Sequence, residues 1–356
     1  MDLDARSILT AAVQQGASDI FLVPGTAYSF KVNGRVEIHS EEKLAPPQVV
    51  ELIGQIYEMA GNRSMKKAEE TGDDDFSFSI PGLSRFRVNV FKQRGTMGAV
   101  IRVVSFEIPK YTDLHIPDVV MDVADLQAGL VLVTGPAGSG KSTTLSCIID
   151  KINNTRNAHI ITIEDPIEYL HHHNKSIVTQ REIATDTDSY VMALRAALRQ
   201  APDVILLGEM RDFETIKTAM TAAETGHLVI STLHTVGAAN TIDRIIDAFP
   251  PNQQHQIRIQ LSMILQAVIS QQLVPTVDGG ILPAYEIMFA NSALRNMIRE
   301  TKVHQIDTMI YSSQEEGMRA MDTSLLELYK AGKISKEIAL YYSTNPDTLE
   351  KRMARV

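Results

Sequence analysis

The stretch LVLVTGPAGSGKSTT, residues 130–144, is the strongest indication of the fold class of this chain. It contains the pattern G-x-x-x-x-G-K-[S/T], preceded by an apolar strand-like segment and followed by a helix-like one. The glycines allow the backbone to curl so that successive N–H groups face a phosphate, and the N-terminus of the following helix adds partial positive charge. The stretch therefore predicts a phosphate-binding loop between a strand and a helix, and it disfavours a chance glycine-rich turn.

The residues of this loop have separate predicted roles. Lys141 is expected to reach the β- and γ-phosphates of ATP, and Ser142 is expected to ligate Mg²⁺. The other predicted nucleotide-binding residues of the loop are Gly135, Pro136, Ala137, Gly138, Ser139, Gly140 and Thr143. ATP and Mg²⁺ are therefore the predicted ligands.

Around the loop the chain alternates short apolar segments with helix-like ones. The apolar segments are GLVLVTG, HIITIED, DVILLGE and HLVISTLH. This alternation predicts an α/β fold, with a parallel sheet covered by helices on both faces. Residues 1–107 instead alternate apolar and polar residues over short strands, which predicts a smaller α+β domain.

The predicted domain boundaries follow these changes of pattern. Two prolines and little periodicity indicate a linker at 108–118. The core that carries the phosphate loop is predicted at 119–275, and 276–356 is predicted to be a C-terminal helical region. Helical patterns dominate from about residue 237, and PNQQHQIRIQLSMILQAVISQQL, residues 251–273, is interpreted as helical.

Composition excludes several classes of protein. The 356 residues include 43 acidic and 34 basic side chains, a net charge of −9, which disfavours general binding to nucleic acid. The single cysteine, Cys147, excludes an internal disulfide and fits a reducing compartment. No signal peptide is recognisable, and no apolar stretch approaches the roughly twenty residues that span a bilayer. We therefore expect a cytoplasmic protein.

Two further strand ends carry acidic residues. Glu164 and Glu168 lie in HIITIEDPIEYL, and Glu209 lies in VILLGEMRD. Carboxyl ends of parallel strands meet at one edge of the sheet, where carboxylates can hold Mg²⁺ or orient an attacking water. A functional role is favoured for these three residues, whereas Asp165 and Asp212 are equally well explained as caps or surface charges.

His227 and His234 begin and end one predicted strand. Their odd separation places them on opposite strand faces, which disfavours a shared metal. His234, at the carboxyl end, is placed to contact the γ-phosphate. A structural histidine is the alternative for either residue.

Four separated stretches together resemble the secretion-type motor ATPases of type IV pili and type II secretion. They are, in order, GPAGSGKST, TIEDPIEY, VILLGEMRD and AAETGHLVISTLHT. The family's second acidic strand carries a glycine before its glutamate, as Gly208 and Glu209 do here. Departures from the family pattern are Phe21, Ala137, Thr179 and Ala184. None of them removes an expected catalytic group.

Within this family the chain is similar to the pilus retraction ATPases. PAYEIMFAN and the helix ALRNMIRE, residues 293–300, carry this likeness. We also expect no extra N-terminal domain and no four-cysteine zinc site of the kind found in extension ATPases. The resemblance implies a RecA-like P-loop core, a PAS-like N-terminal domain and C-terminal helices.

The resemblance also implies function and partners. It implies a homo-hexamer that hydrolyses ATP to drive pilus retraction, and therefore pilus disassembly and twitching motility. Implied partners are an inner-membrane pilus platform protein and a paralogous retraction ATPase, with no nucleic acid and no direct membrane insertion. The implied location is the inner face of the cytoplasmic membrane, reached through partners.

Carried onto this sequence, the resemblance assigns roles to the acids and histidines. Glu168 is the first choice for the residue that polarises water, with Glu164 beside it, and Glu209 supports the metal through water. His227 and His234 belong to a histidine box that links nucleotide state to the subunit interface, with His227 expected to bind nucleotide and His234 expected to act in catalysis.

Arginines of the N-terminal domain are implied to complete the nucleotide site. The candidates are Arg85, Arg87, Arg94 and Arg102. A guanidinium suits this role because its fork matches phosphate oxygens. Arg94 and Arg102 are favoured as catalytic and Arg87 as nucleotide-binding, while solvated surface charge is the alternative.

Three other functions compete with a retraction motor. The first is a related pilus-extension or type II secretion ATPase, which the absent zinc site and ALRNMIRE disfavour. The second is a ring-forming, ATP-binding accessory subunit of a partner motor, which the acidic residues disfavour. A nucleic-acid translocase is the third, and the acidic net charge disfavours it.

Overall fold

A computed structural model describes residues 4–355 except 33, 41, 105 and 106. The chain divides into two compact units. The first unit comprises Met1–Glu107 and Glu168–Leu170, and the second comprises Ile108–Ile167 and His171–Val356.

The first unit is an α+β structure with one antiparallel sheet. Its elements are α1 (Ala5–Gln14), β1 (Asp19–Leu22), β2 (Ser29–Val32), β3 (Arg35–Ile38), α2 (Pro46–Met59), α3 (Lys66–Thr71), β4 (Asp73–Ile80), β5 (Ser84–Gln93) and β6 (Thr96–Val104). The strand order is β3-β2-β1-β6-β5-β4. Buried and half-buried residues alternate along most of β5, as expected for a strand with one face on the core.

One predicted turn of this unit lies partly outside the described residues. Asn33 and Gly34 are predicted to form a hairpin turn, and Asn33 is not among the described residues. Val32 pairs with Arg35 across the antiparallel strands β2 and β3. Gly34 has a φ of +78°, which glycine adopts without steric cost.

The second unit holds a seven-stranded sheet with helices. Its elements are α4 (Asp118–Met121), β7 (Gly129–Thr134), α5 (Lys141–Thr155), β8 (His159–Glu164), β9 (Ile177–Glu182), α6 (Tyr190–Ala197), β10 (Val204–Leu207), α7 (Phe213–Glu224), β11 (Leu228–Leu233), α8 (Ala238–Asp247), α9 (Pro251–Ile264), β12 (Leu265–Pro275), β13 (Ile281–Phe289), α10 (Ser292–Arg299), α11 (Ile306–Ser312), α12 (Met321–Lys330), α13 (Lys336–Tyr342) and α14 (Pro346–Met353). The order β13-β12-β7-β11-β10-β8-β9 is parallel except for β13. The predicted α/β fold class is confirmed.

The central strands of this sheet are fully buried, which explains why their sequences are apolar. Every residue of β7, β10 and β11 is buried. Strands of a parallel sheet covered on both faces read as continuous apolar runs for this reason. Because β7, β8, β10 and β11 are parallel, the segments that follow them leave from one edge of the sheet.

The interpretation of residues 251–273 as helical was wrong in its second half. Helix α9 ends at Ile264, and β12 begins at Leu265. Strand β12 pairs with β7 on one side and β13 on the other. Periodicity alone cannot separate a buried strand from a buried helix, so the pairing partners decide. The region 276–356, predicted to be helical, likewise begins with a strand, β13.

The helices after the sheet are tied to it by specific contacts. Arg295 of α10 donates from Nη1 to the carbonyl oxygens of Ser262 and Met263, each at 2.9 Å. These are among the last carbonyl groups of α9, which have no partner within that helix. Among the described residues, no helix is both long and apolar enough to cross a membrane.

Candidate nucleotide-binding site

Two glycines give the loop after β7 its shape. Gly135 and Gly140 have φ angles of +140° and +85°. A Cβ on Gly135 would lie 2.1 Å from the carbonyl oxygen of Gln271, and one on Gly140 would lie 2.7 Å from the Nε2 atom of Gln271. Both positions therefore require glycine, for backbone conformation and for space.

Lys141 begins α5, and its ammonium group turns back onto the loop. Its Nζ donates to the carbonyl oxygens of Gly135 and Pro136, each at 2.8 Å. Burial lowers the pKa of Lys141, and the charge of Glu209 partly opposes that shift. Two neutral carbonyl oxygens hold the ammonium group, so its charge remains available to an anion.

The remaining loop residues differ in exposure. Pro136, Ala137 and Gly138 are exposed, as is Ser142 in the first turn of α5. Ser139 is buried. The exposed backbone and the Ser142 hydroxyl are accessible to a ligand.

Gln271, which the sequence did not identify, connects two parts of this loop. Its Nε2 donates to the carbonyl oxygen of Ser139 at 2.6 Å, and its Oε1 accepts from Thr144 Oγ1 at 2.7 Å. The available signal was the polar triplet SQQ inside an apolar segment. It was missed because the segment was interpreted as helical.

Glu209 follows β10 and is the centre of a charged group. Its Oε2 lies 2.6 Å from Arg211 Nε and 3.3 Å from His234 Nε2. Only 8% of Glu209 is exposed, so the ion pair with Arg211 is partly shielded from water. The structure thus brings the predicted residues Glu209 and His234 together and adds Arg211, which sequence reasoning missed.

Gly208 makes room for a tyrosine. A Cβ at this position would lie 2.9 Å from Tyr190 Oη and 3.3 Å from the carbonyl oxygen of Ile163. Burial raises the pKa of Tyr190, and the charges of Glu209 and Asp165 raise it further. The Tyr190 hydroxyl, a second residue that sequence reasoning missed, is therefore neutral and close to carboxylates.

Glu164 ends β8 and is held by its neighbours. Its Oε1 accepts from Thr162 Oγ1 at 2.6 Å and from Gln180 Nε2 at 3.3 Å. Glu168 is exposed and belongs to the first unit. The activation of water by Glu168 stays a prediction.

Asp212 has a structural role. Its carboxylate accepts from the backbone N–H of Thr215 at 2.9 Å and from Thr215 Oγ1 at 2.7 Å, which caps α7. Burial acts to raise the pKa of Asp212, but the hydrogen bonds from Thr215 outweigh it and lower the pKa. Of the two readings left open for Asp212, the geometry supports the cap.

His227 and His234 lie at opposite ends of β11. His227 Nδ1 lies 2.9 Å from the carbonyl oxygen of Ala222, and the carbonyl oxygen of His227 accepts from the N–H of Gly129 at the start of β7. The phosphate loop follows the other end of β7. The structure therefore does not bring His227 to the loop of its own chain, and its nucleotide contact stays a prediction.

The predicted arginines lie in the first unit. Arg102 Nε lies 3.0 Å from Asp19 Oδ1, which links β6 to β1. Arg87 is the cross-strand partner of Arg102. Arg94 is exposed between β5 and β6, with a φ of +48°. Their predicted contacts with nucleotide stay predictions.

Similarity to known proteins extends over nearly the whole chain. The family described as "Type II/IV secretion system protein" matches residues 3–281. The "Type IV pilus retractation ATPase PilT" of Pseudomonas aeruginosa is 46% identical over 337 residues, 95% of this chain and 97% of that protein. The "Type IV pilus ATPase PilU" of the same organism is 39% identical over 348 residues, 98% of this chain and 90% of that protein.

A solved structure is similar over the same extent. The crystal structure described as the pilus retraction motor PilT with bound ADP superposes with a TM-score of 0.89 at 47% identity, covering 98% of this chain and 99% of that one. The matched residues include the phosphate loop, both acidic strand ends and His234. On this evidence the chain belongs to the type II/IV secretion system protein family.

Proposed function

We propose that this chain is an ATP-hydrolysing motor that drives retraction of type IV pili. The observation that carries the proposal is the glycine-dependent phosphate loop, which occurs in one unit with the Glu209–Arg211–His234 group. The 46% identity to PilT of Pseudomonas aeruginosa, over 97% of that protein, supports retraction as its task.

The loop suits the triphosphate of ATP as substrate. Without side chains at 135 and 140, the backbone N–H groups can closely approach phosphate oxygens. Lys141 exchanges its carbonyl partners for oxygens of the β- and γ-phosphates. The N-terminus of α5 adds partial positive charge.

The oxygen donors of this unit also suit Mg²⁺. Magnesium is bound in proteins by few oxygen ligands and keeps several waters. The exposed Ser142 hydroxyl would ligate it directly, and Glu209 would hold it through water. When bound, the ion would neutralise charge on the phosphates.

Glu168 is proposed to orient the attacking water and accept its proton, with Glu164 beside it. A carboxylate in this role contributes typically 10²–10⁴-fold to rate, by the general magnitude for acid–base catalysis. Arg211 and His234 hold the Glu209 carboxylate in place. His234 is thus proposed to link the acidic group to the nucleotide.

The working form is proposed to be a homo-hexamer. In it Arg87, Arg94 and Arg102 would complete the site with charges that match phosphate oxygens. His227 would report nucleotide state to a neighbouring subunit. Opening and closing of sites around the ring would turn hydrolysis into mechanical work.

The proposed partners follow from this task. They are an inner-membrane platform protein and a paralogous retraction ATPase. The second is supported by the occurrence of both PilT and PilU in Pseudomonas aeruginosa, which are 46% and 39% identical to this chain. The proposed location is cytoplasmic, at the inner face of the membrane through these partners.

Phosphate release by the purified chain tests hydrolysis and the division of roles between acids. We expect Glu168→Gln to lower the rate about 100-fold or more while nucleotide still binds. Glu209→Gln is expected to lower the rate and to weaken the response to Mg²⁺. Glu214→Gln, which alters an exposed pair with Arg195, is the control and should retain the wild-type rate.

Two outcomes would contradict the mechanism. A wild-type rate no higher than the background without catalysis would refute the motor, and loss of activity in Glu209→Gln but not in Glu168→Gln would reassign the base. Deletion of the gene tests retraction itself, because long non-retracting pili are expected. Cells without pili would instead support an extension ATPase.

A further inference from the structure

Gln271 lies on β12 directly beside the phosphate loop. Its neighbour Ser270 pairs with Thr134, the last residue of β7. Gln271 therefore continues β12 alongside the first residue of the loop, Gly135. Gln271 is 3% exposed, so water cannot replace hydrogen bonds lost by its side chain.

The two ends of the Gln271 amide bind two different parts of the site. The carbonyl oxygen of Ser139 can only accept, so the amide nitrogen must face it, at 2.6 Å. The amide oxygen then faces the Thr144 hydroxyl, which donates at 2.7 Å. One rigid planar group thus joins the loop to the first turn of α5.

The same side chain packs against the loop itself. A Cβ on Gly140 would lie 2.7 Å from the Gln271 Nε2 atom. The amide therefore occupies the space beside the last glycine of the loop. A shift of the loop relative to β12 would break one of the two hydrogen bonds of the Gln271 amide or press Gly140 against that amide.

We propose that Gln271 is a positioning residue for the nucleotide, which acts by holding the phosphate loop in its binding shape. A loop already held in that shape does not have to be ordered when phosphate binds, which favours affinity. This inference rests on the proposed binding of nucleotide to the same loop. Gln271 itself is not required to touch the ligand.

Gln272 provides a matched control. It is the next residue of the same strand, so its side chain points to the opposite face. It is 8% exposed, and its Nε2 donates to the carbonyl oxygen of Tyr342 at 3.2 Å. A leucine at either position removes a buried amide of the same kind, but only position 271 contacts the loop.

Calorimetric titration of the full-length chain with MgADP, together with thermal unfolding without nucleotide, tests the inference. Gln271→Leu is expected to raise the Kd for ADP about tenfold or more. Gln272→Leu is expected to keep the Kd within about twofold of wild type while it lowers the unfolding temperature. A purely structural role would lower both unfolding temperatures and leave both affinities unchanged.

A second pair of variants, at Thr144, tests the proposal if Gln271→Leu does not fold. Thr144→Val removes the hydroxyl that donates to Gln271, and Thr144→Ser retains it. Weaker ADP binding in the valine variant alone supports the proposal, and equal affinity in both refutes it. Wild-type affinity in Gln271→Leu refutes this inference alone, whereas no ADP binding by the wild-type chain refutes the proposed function as well.

Discussion

Gly208 shows what a single missing side chain can do at this site. The strand before it looks like one that ends in a metal-binding aspartate, yet glycine stands there. The space that a Cβ would fill is taken by the Tyr190 hydroxyl and the carbonyl oxygen of Ile163. The acid at this strand end is the next residue, Glu209, whose carboxylate contacts Arg211 and His234.

Gly208→Ala is therefore expected to destabilise the chain and to slow hydrolysis. Overpacking of this kind typically costs about 1–3 kcal/mol. Adding Tyr190→Phe removes the atom that lies 2.9 Å from the new methyl group and should restore part of the stability. Thermal unfolding of the single and double variants measures this. If the two substitutions lower stability additively, the Tyr190 hydroxyl is not the group that the new methyl group displaces.

At the scale of elements, β13 contributes a buried acid to the start of α8. Glu286 is 5% exposed, and its Oε1 accepts from the backbone N–H of Ala238 at 2.7 Å. Burial raises the pKa of Glu286 to about 7. The hydrogen bond from Ala238 opposes this shift, and the charges of Asp307 and Asp322 add to it. The carboxyl group therefore changes charge near neutral pH.

This element predicts a specific pH dependence of stability. Because the folded-state pKa is raised above the ordinary 4.5, the contribution of Glu286 is fully present below about pH 4.5 and is lost as pH rises through about 7. Glu286→Gln keeps an acceptor for Ala238 and removes the charge. The unfolding free energy of wild type should fall relative to this variant by about 3 kcal/mol over that range.

Denaturant unfolding at a series of pH values measures the difference. Glu51→Gln, at an exposed position of α2, serves as the control and should follow the wild-type curve. Parallel curves for wild type and Glu286→Gln would show that Glu286 has an ordinary pKa.

At the scale of the whole molecule, the strand order of the second unit assembles the candidate site. Strand β7 lies between β12 and β11, and β10 lies beyond β11. The phosphate loop therefore emerges next to Gln271 on one side and to the segment that carries His234 on the other. The parallel arrangement brings these segments to one edge, although they are far apart along the chain.

Binding to this edge should stabilise the folded chain. ADP at a hundred times its Kd is expected to add about 2.7 kcal/mol to the unfolding free energy. Lys141→Ala should abolish most of that gain. Lys151→Ala, on the same helix but bonded to the carbonyl oxygen of Met121, should retain it. Unfolding measured with increasing ADP checks this, and equal gains in both variants would exclude Lys141 from binding.

The sequence predicted the loop better than its surroundings. GPAGSGKST combines a local turn pattern with a strand and a helix, and each part is encoded by nearby residues. The acids at Glu164 and Glu209 were predicted because they follow apolar runs. Arg211, Tyr190 and Gln271 were not, since nothing in their immediate surroundings marks them as partners of distant groups.

Local sequence was sufficient to predict the α/β class, the phosphate loop and the residues that end the parallel strands. These features depend on glycine conformations and on apolar periods read over a few neighbouring residues. Two features became visible in the three-dimensional structure alone: residues 265–275 form a strand, and Gln271 bonds Ser139 and Thr144, 132 and 127 residues away. Such pairings depend on which distant groups share a buried space, and no local pattern encodes that choice.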